Sequence, residues 1–528
     1  MKKNNLYTPL FIFLSIIIGL MLGRLIYHNK GTARIDLTKT DKISALIDVV
    51  NSQYVDSVST SEIIEKIIPE VLLQLDPHSI YIPAAKYEET TAPLHGSFEG
   101  IGVQFNIQKD TIMIVAVIAG GPSEKEGLLA GDRIVTINDS TFAGIGITND
   151  GVMKNLKGEK GSKVKLGVKR FGRKDLIYFT ITRDKIPLYS VETSYMVNNN
   201  TGYIRISRFA STTHTEFVNA VRSLKKEGME KVILDLRGNG GGYLGEAYKI
   251  VDEFLEEGKM IVYTEGKAYK REEYKSTRGG ICKEMELIVL IDTWSASASE
   301  IVSGAIQDND RGLIIGRRSF GKGLVQTEYE FRDGSYIRLT IARYYTPTGR
   351  CIQKPYSDNF EDYEFEIYDR IMHGELENQD STSFADSLKY TTPKGRTVYG
   401  GGGIMPDIFV PIDTTNNSKF YKKVNDKNLI YNFAIQYTDK NRTTLNKFKN
   451  HTQIENYLNN QNIYSQFINF TKTQKIESEQ KEIDKAQERI ENLLHAYIVR
   501  NVLDENNFYK VINQMDNIYL RAVEEIEK

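Results

Sequence analysis

The sequence predicts a mixed α/β fold in several domains, and three changes of texture predict it. From about Ile35 to Tyr87 the apolar residues recur at helical spacing. From Gly96 to Gly403 glycines are frequent and β-branched runs are short, as expected of strands and helices joined by tight turns. The final 117 residues contain no glycine and no proline, which leaves helix as their expected state. At 528 residues the chain has room for three or four domains of roughly 100–200 residues. The boundaries are expected at 1–29, 30–96, 97–185, 186–412 and 413–528. Lys+Arg number 68 and Asp+Glu 69, so no basic excess recommends nucleic acid as a partner. Hydrophobic residues at 40% and charged residues at 26% exclude a polytopic membrane protein and a disordered chain. Two cysteines exclude a disulfide scaffold and a four-cysteine zinc site.

Lys2 and Lys3 precede an apolar stretch from Leu10 to Leu22, extended past Arg24 by Leu25 to Tyr27. That length is near the ~20 residues that cross a bilayer. No small-residue cleavage site follows directly, so an uncleaved anchor is expected in place of a removed signal peptide. The flanking lysines favour a cytoplasmic N-terminus. The expected location is therefore the bacterial inner membrane, single-pass, with the domains that follow in the periplasm. Next come two helical stripes, Ile43, Leu46, Ile47 and Val50, then Ile63, Ile64, Ile67, Ile68, Val71 and Leu72, the second closed by Asp76-Pro77.

Residues 97–185 suggest a peptide-binding module. Gly100-Ile101-Gly102-Val103 leads into one strand and Ile112 to Val117 forms a second. Gly121-Pro122-Ser123 opens a short helix, and Ala130-Gly131-Asp132 a turn before Arg133 to Asn138. A glycine-flanked loop ahead of an edge strand can hold a terminal carboxylate on its N–H groups while the peptide pairs as an added strand. The order resembles a PDZ domain, with Gly100, Ile101, Gly102 and Val103 as its carboxylate loop.

Three segments then carry chemistry. Lys231 to Leu236 is a buried strand that runs into Arg237-Gly238-Asn239-Gly240-Gly241-Gly242, where backbone N–H groups can face an anion. Leu287 to Asp292 is a strand followed by Ser295-Ala296-Ser297-Ala298-Ser299-Glu300, whose small residues permit a sharp turn with an exposed hydroxyl. Ser319-Phe320-Gly321-Lys322-Gly323 leads into a third strand with Gln326 near its start. Each is weak alone; together they suggest acyl transfer by a serine nucleophile with N–H donors for the oxyanion. None of the seven histidines lies beside these segments, so a lysine base is expected, its pKa depressed by burial. Lys322, flanked by glycines, can enter a crowded pocket, and Gln326 can hold its amine. Gly316 to Lys322 also matches a phosphate loop, but Gly323 stands where Mg²⁺ needs Ser or Thr, and strand follows where helix should.

As an ordered set these segments resemble the C-terminal processing peptidases, or tail-specific proteases, over roughly Ile35 to Pro411. Arg343 to Arg350 and Gly403 to Ile408 match that family's later strand segments. The resemblance implies a crotonase-like αβ superhelix core with an inserted PDZ β-barrel, and a serine–lysine dyad. It places the nucleophile on Ser297, the base on Lys322, its orienting partner on Gln326, and the oxyanion donors on the amides of Gly241 and Ala298. Gly240 stands where many relatives carry proline, which changes loop stiffness. Ser295 and Ser299 have no implied chemical role. It implies no cofactor and no metal, and substrates that are proteins or peptides with free C-termini. The alternative is a catalytically silent PDZ scaffold, which would not need Ser297, Lys322 and Gln326. The stretch 355–395 is acidic and reads as a surface insertion. Ile476, Ile483, Ile490 and Tyr497 recur every seven residues and predict a long amphipathic helix suited to docking or homo-oligomer formation.

Overall fold

A computed structural model of the chain describes residues 13–22, 42–356, 360–378 and 386–528. The chain divides into two compact units, Met1–Asp76 and Pro77–Lys528. In the first, the two helical stripes form the helices Lys42–Gln53 and Thr60–Leu73. Ser59 caps the second, its Oγ accepting the N–H of Glu62 at 3.3 Å.

The expected membrane anchor is corrected by this structure. Residues 13–22 are helical, which gives about 15 Å at 1.5 Å per residue, half of the ~30 Å hydrocarbon core. Among the described residues no helix is long and apolar enough to cross a membrane. Lys2, Lys3, Arg24 and the stretch beyond it lie outside the described residues.

The second unit is built on a six-stranded sheet. Its order is Val191–Met196, Thr201–Ile206, Lys231–Asp235, Glu286–Ile291, Leu313–Gly316, Ile408–Phe409. The first pair is antiparallel and the others are parallel. Lys231–Asp235 and Glu286–Ile291 are nearly continuous apolar runs because both of their faces are covered. On one face Val232, Leu234, Leu287 and Val289 pack against the helices Thr213–Lys226, Leu244–Asp252 and Ala298–Asp308. On the other, Tyr203, Ile233, Ile288 and Leu290 meet Ile518, Tyr519, Ala522 and Ile526 of the last helix, Asn517–Glu527. The chain's own C-terminal helix thus seals its central sheet.

A second, antiparallel sheet carries the strand that follows Lys322. Leu324–Glu330 pairs along one side of the long strand Tyr336–Tyr345, while Ile80–Ile82 and Met260–Glu265 share its other side. Glu272–Lys275 extends Met260–Glu265 as a hairpin. The small β-domain has its own core of Ile112, Ile114, Ile134, Val164, Leu166, Val168 and Ile181. Ser97–Gly100 and Asp184–Pro187 pair antiparallel at its neck. Val103–Ile107 is its edge strand, paired only with Ile112–Val117 among the described residues.

The C-terminal region is helical, but the predicted long helix is broken. Ile463–Thr473 ends at a turn in which Lys475 has φ +57°, and Gln480–Lys485 and Gln487–Val502 follow as separate helices. Ile476, Ile483, Ile490 and Tyr497 still point into one core. The heptad spacing identified the buried face correctly while the turns broke the axis. Leu429–Leu445 also contacts the small β-domain, where Arg442 Nη2 donates to Ala130 O at 3.2 Å and Asn432 accepts from Gln108.

Candidate active site

Ser297 sits where the strand Glu286–Ile291 turns into the helix Ala298–Asp308, with φ +55° and ψ −111°. A non-glycine residue held there stores strain of about 1–3 kcal/mol, which the surrounding contacts must offset. Those contacts separate the three serines of the motif. Ser295 Oγ donates to Leu236 O and Ser299 Oγ to Asn239 O, each at 2.8 Å, so both stitch this turn to the glycine-rich one. Ser297 alone of the three lines the open cleft.

Lys322 lies in the same cleft, a cavity of 540 Å³ that also includes Gln326, Gly241, Ile301 and Tyr344. Its Nζ donates to Gln326 Oε1 at 3.0 Å, and Gln326 Nε2 donates to His78 O at 2.5 Å. His78 therefore contributes its carbonyl here, while its ring Nε2 pairs with Tyr363 OH at 2.7 Å.

Two buried side chains join the Ser297 turn to the Lys322 loop. Glu300 Oε2 accepts the N–H groups of Ser297 and Lys322, and Oε1 accepts the N–H of Gly321 at 2.7 Å and the hydroxyl of Ser319 at 2.5 Å. Burial pushes the Glu300 carboxyl above its ordinary value, and these four donors oppose the rise. The Tyr344 hydroxyl lies 3.0 Å from Ser297 O and 2.7 Å from Lys322 O and can donate to either. Sequence reasoning assigned neither residue a role. For Glu300 the signal was present: Ser-x-x-Glu at a helix start is the capping-box spacing.

The two expected oxyanion donors differ. Gly241 has φ +102°, and a Cβ there would stand 2.8 Å from Ser297 Cβ and 3.0 Å from Ala298 N, so only glycine fits. Its N–H, however, donates to Asn239 Oδ1 at 2.9 Å. Ala298 N–H opens the buried helix at its positive end. In the small domain, Gly100 and Ile101 are buried and Gly102 has φ +77°. The carbonyls of Ile101 and Gly102 are taken inward by Ser123 and Ile118, and Val103 begins the open edge strand.

The helix Phe360–Met372 packs onto the loop that carries Lys322. Arg370 donates to Ser319 O and Arg318 O at 3.1 and 2.9 Å. Lys354 Nζ lies over the rings of Phe320 and Tyr363, at 4.2 and 4.1 Å, and donates to Glu366. Tyr363 and Ile367 are buried, so this stretch, read from sequence as a surface insertion, also buttresses the site. Cys282 and Cys351 are both free thiols. Burial pushes the Cys282 thiol up to about 12.

Residues 200–359 match the model of peptidase family S41 and residues 100–181 that of the PDZ domain. Over 357 residues the chain is 33% identical to the carboxy-terminal-processing protease of Bartonella bacilliformis, covering 67% of this chain and 81% of that protein. The chain belongs to the carboxy-terminal processing proteases. Over 322 residues it is 36% identical to the carboxy-terminal processing protease CtpA of Bacillus subtilis, covering 60% of this chain and 67% of that one. Among solved structures it is similar to a photosystem II D1 C-terminal processing protease, with 24% identity and a TM-score of 0.35 over 70% of this chain and 92% of that one. Residues 420–504 match a family of unknown function. The mixed α/β architecture expected from sequence holds, with a family S41 core, a PDZ domain and a helical C-terminal region. The protein is a serine-type peptidase.

Proposed function

We propose that the enzyme captures a free C-terminus on Gly100 to Val103 and cleaves the same chain upstream with a Ser297–Lys322 dyad. The observation that carries this reading is the shared tether: Glu300 and Tyr344 bind the backbones of both residues, and both line one cleft. Neutral Lys322 Nζ takes the Ser297 hydroxyl proton as Oγ attacks the scissile carbonyl. Gln326 Oε1 accepts one N–H of that amine and turns its lone pair toward the serine. The carbonyl oxygen becomes an anion and takes the Ala298 N–H, with Gly241 N–H joining by exchanging Asn239 Oδ1 for it. The proton then passes to the leaving amine, and a water activated by the same lysine frees the acyl group. The open edge of Val103–Ile107 offers the backbone groups that a terminal segment pairs with.

The test compares a C-terminally tagged polypeptide with its amidated form, on the intact enzyme and on Ser297→Ala. Cleavage that needs Ser297 and falls sharply on amidation supports the reading. Undiminished cleavage by Ser297→Ala removes the nucleophile, and indifference to amidation removes carboxylate capture.

A further inference from the structure

A second cavity of 430 Å³ adjoins the catalytic cleft, and the two share Leu244 and Val325 as walls. Tyr248, from the helix that follows the glycine-rich turn, and Tyr274, from the hairpin strand Glu272–Lys275, pack against each other in its wall with ring centroids 5.7 Å apart. Tyr269 at the hairpin turn closes a third side, its hydroxyl 3.1 Å from that of Tyr329. The floor is Thr264, Ile341 and Ala342 of the antiparallel sheet. Lys270 and Glu272 stand at the margin. The hairpin can lie this close to the sheet because residue 266 is glycine: a Cβ there would stand 2.2 Å from Ile341 O.

We infer that this cavity is a substrate subsite, filled by an aromatic or branched apolar side chain of the same polypeptide whose scissile bond lies at Ser297. The inference rests on the catalytic reading above. Continuity through Leu244 and Val325 makes the occupant a residue close in sequence to the cleaved bond. A wall of tyrosine rings above Ile341 and Ala342 favours a flat or branched hydrocarbon. An acidic side chain gains no net attraction there, since the lining carries one cation, Lys270, and one anion, Glu272. Selection would then have two parts, the carboxylate held by the PDZ domain and one apolar residue read beside the scissile bond.

Gly245 allows a direct test. It lines the cavity on the helix Leu244–Asp252, and a Cβ at this position meets open space, so Gly245→Leu should fill the subsite without displacing backbone. A tagged polypeptide is varied one position at a time, four residues either side of its cleavage site, through Gly, Leu, Phe and Asp. The expected result is one position at which Phe or Leu exceeds Gly in kcat/KM by about tenfold while Asp does not. At that position alone the Phe-to-Gly ratio should fall toward one in Gly245→Leu and, separately, in Tyr248→Ala. A Ser297-dependent cleavage with no such position, or a ratio that survives in both variants, overturns the subsite and leaves the dyad standing. Absence of Ser297-dependent cleavage overturns both.

Discussion

Ser297 and Lys322 share one acceptor: the backbone N–H of each donates to Glu300 Oε2, and each bond is 2.8 Å long. The proposed nucleophile and base are thus registered through their main chains by a single buried carboxylate, 0% exposed. The tether acts on the backbone alone, so neither side chain is consumed by it.

Glu300→Gln should therefore lower kcat by about a hundredfold. An amide offers one acceptor oxygen where the carboxylate offers two, and its NH₂ would face N–H groups that themselves donate. Leaving buried donors unpaired costs about 1–3 kcal/mol each, enough to pull the two loops out of register. The check is kcat per active site, counted with an irreversible serine reagent. A near-native value would show that the shared carboxylate does not set the geometry.

Replacing the base should cost more. Lys322→Ala and Lys322→Arg should each lose roughly 10²–10⁴-fold, because alanine cannot accept the proton and a guanidinium stays charged. Gln326→Ala removes one orienting hydrogen bond and should lose about tenfold, near the value of a single net bond. Activity of the intact enzyme should rise with pH, since the amine must be neutral to act. Retention of activity in Lys322→Arg would exclude lysine as the base.

The Tyr363 hydroxyl bonds His78 Nε2 at 2.7 Å, and the His78 carbonyl takes Gln326 Nε2, so the 360–372 helix reaches Lys322 in three steps. Tyr363→Phe deletes the hydroxyl and keeps the ring over Lys354. It should lower kcat several-fold with KM unchanged, and cost about 1 kcal/mol of stability because the hydroxyl also takes Gln353 Nε2 at 3.3 Å. Tyr363→Ala should destabilise further, because Lys354 loses one of its two aromatic faces. Equal stability losses in both variants would make the contact purely structural.

Much of this site was legible because its residues are local signals. Ser297 at a strand-to-helix junction, Gly241 in a glycine run and Lys322 between glycines can each be read from neighbours in sequence. Tyr344, His78 and Tyr363 could not, because their roles depend on contacts with residues far away in the chain. The inward turn of Gly241 N–H toward Asn239 was equally hidden, since spacing says nothing of which way an amide points. In the C-terminal region the seven-residue spacing recovered the buried face around Ile490 and failed on helix length. Periodicity reports which side chains are buried; the break at Lys475 is a backbone event with φ +57° and no composition signature.

His495 gives the C-terminal helical region an acid-sensitive point. Burial lowers its pKa to about 4, and Nε2 has no hydrogen-bond partner among the described residues. The folded state thus binds this proton more weakly than the unfolded chain, whose histidine titrates near 6.5. Its contribution to stability is complete above pH ~6.5 and is lost as pH falls toward 4, by roughly 3 kcal/mol in all. Urea midpoints for wild type and His495→Leu should diverge in the variant's favour across that window and run parallel above it. Curves that stay parallel down to pH 4 would place the acid response elsewhere.

Asp516 couples the C-terminal helix to the glycine-rich turn. Both of its oxygens accept from Arg237 Nη1, at 2.6 and 2.7 Å, and Oδ1 also caps the final helix through the N–H of Tyr519 at 2.9 Å. Arg237 immediately precedes Gly238 and is held from the other side by Asp235. Burial alone would raise the Asp235 carboxyl, yet Arg237 and Arg205 hold it well below the usual carboxylate range. Asp516→Asn keeps a capping oxygen and removes the charge, whereas Asp516→Ala removes both. Breaking a fully buried pair costs about 3–5 kcal/mol; with Asp516 31% exposed, we expect about 2 kcal/mol for the asparagine variant. The alanine variant should lose about 1 kcal/mol more for the cap. If the last helix also steadies the turn that carries Gly241, kcat should fall with the charge, equally in both variants, while stability falls in two steps. Full activity in both would mean that the helix seals the sheet without reaching the glycine-rich turn.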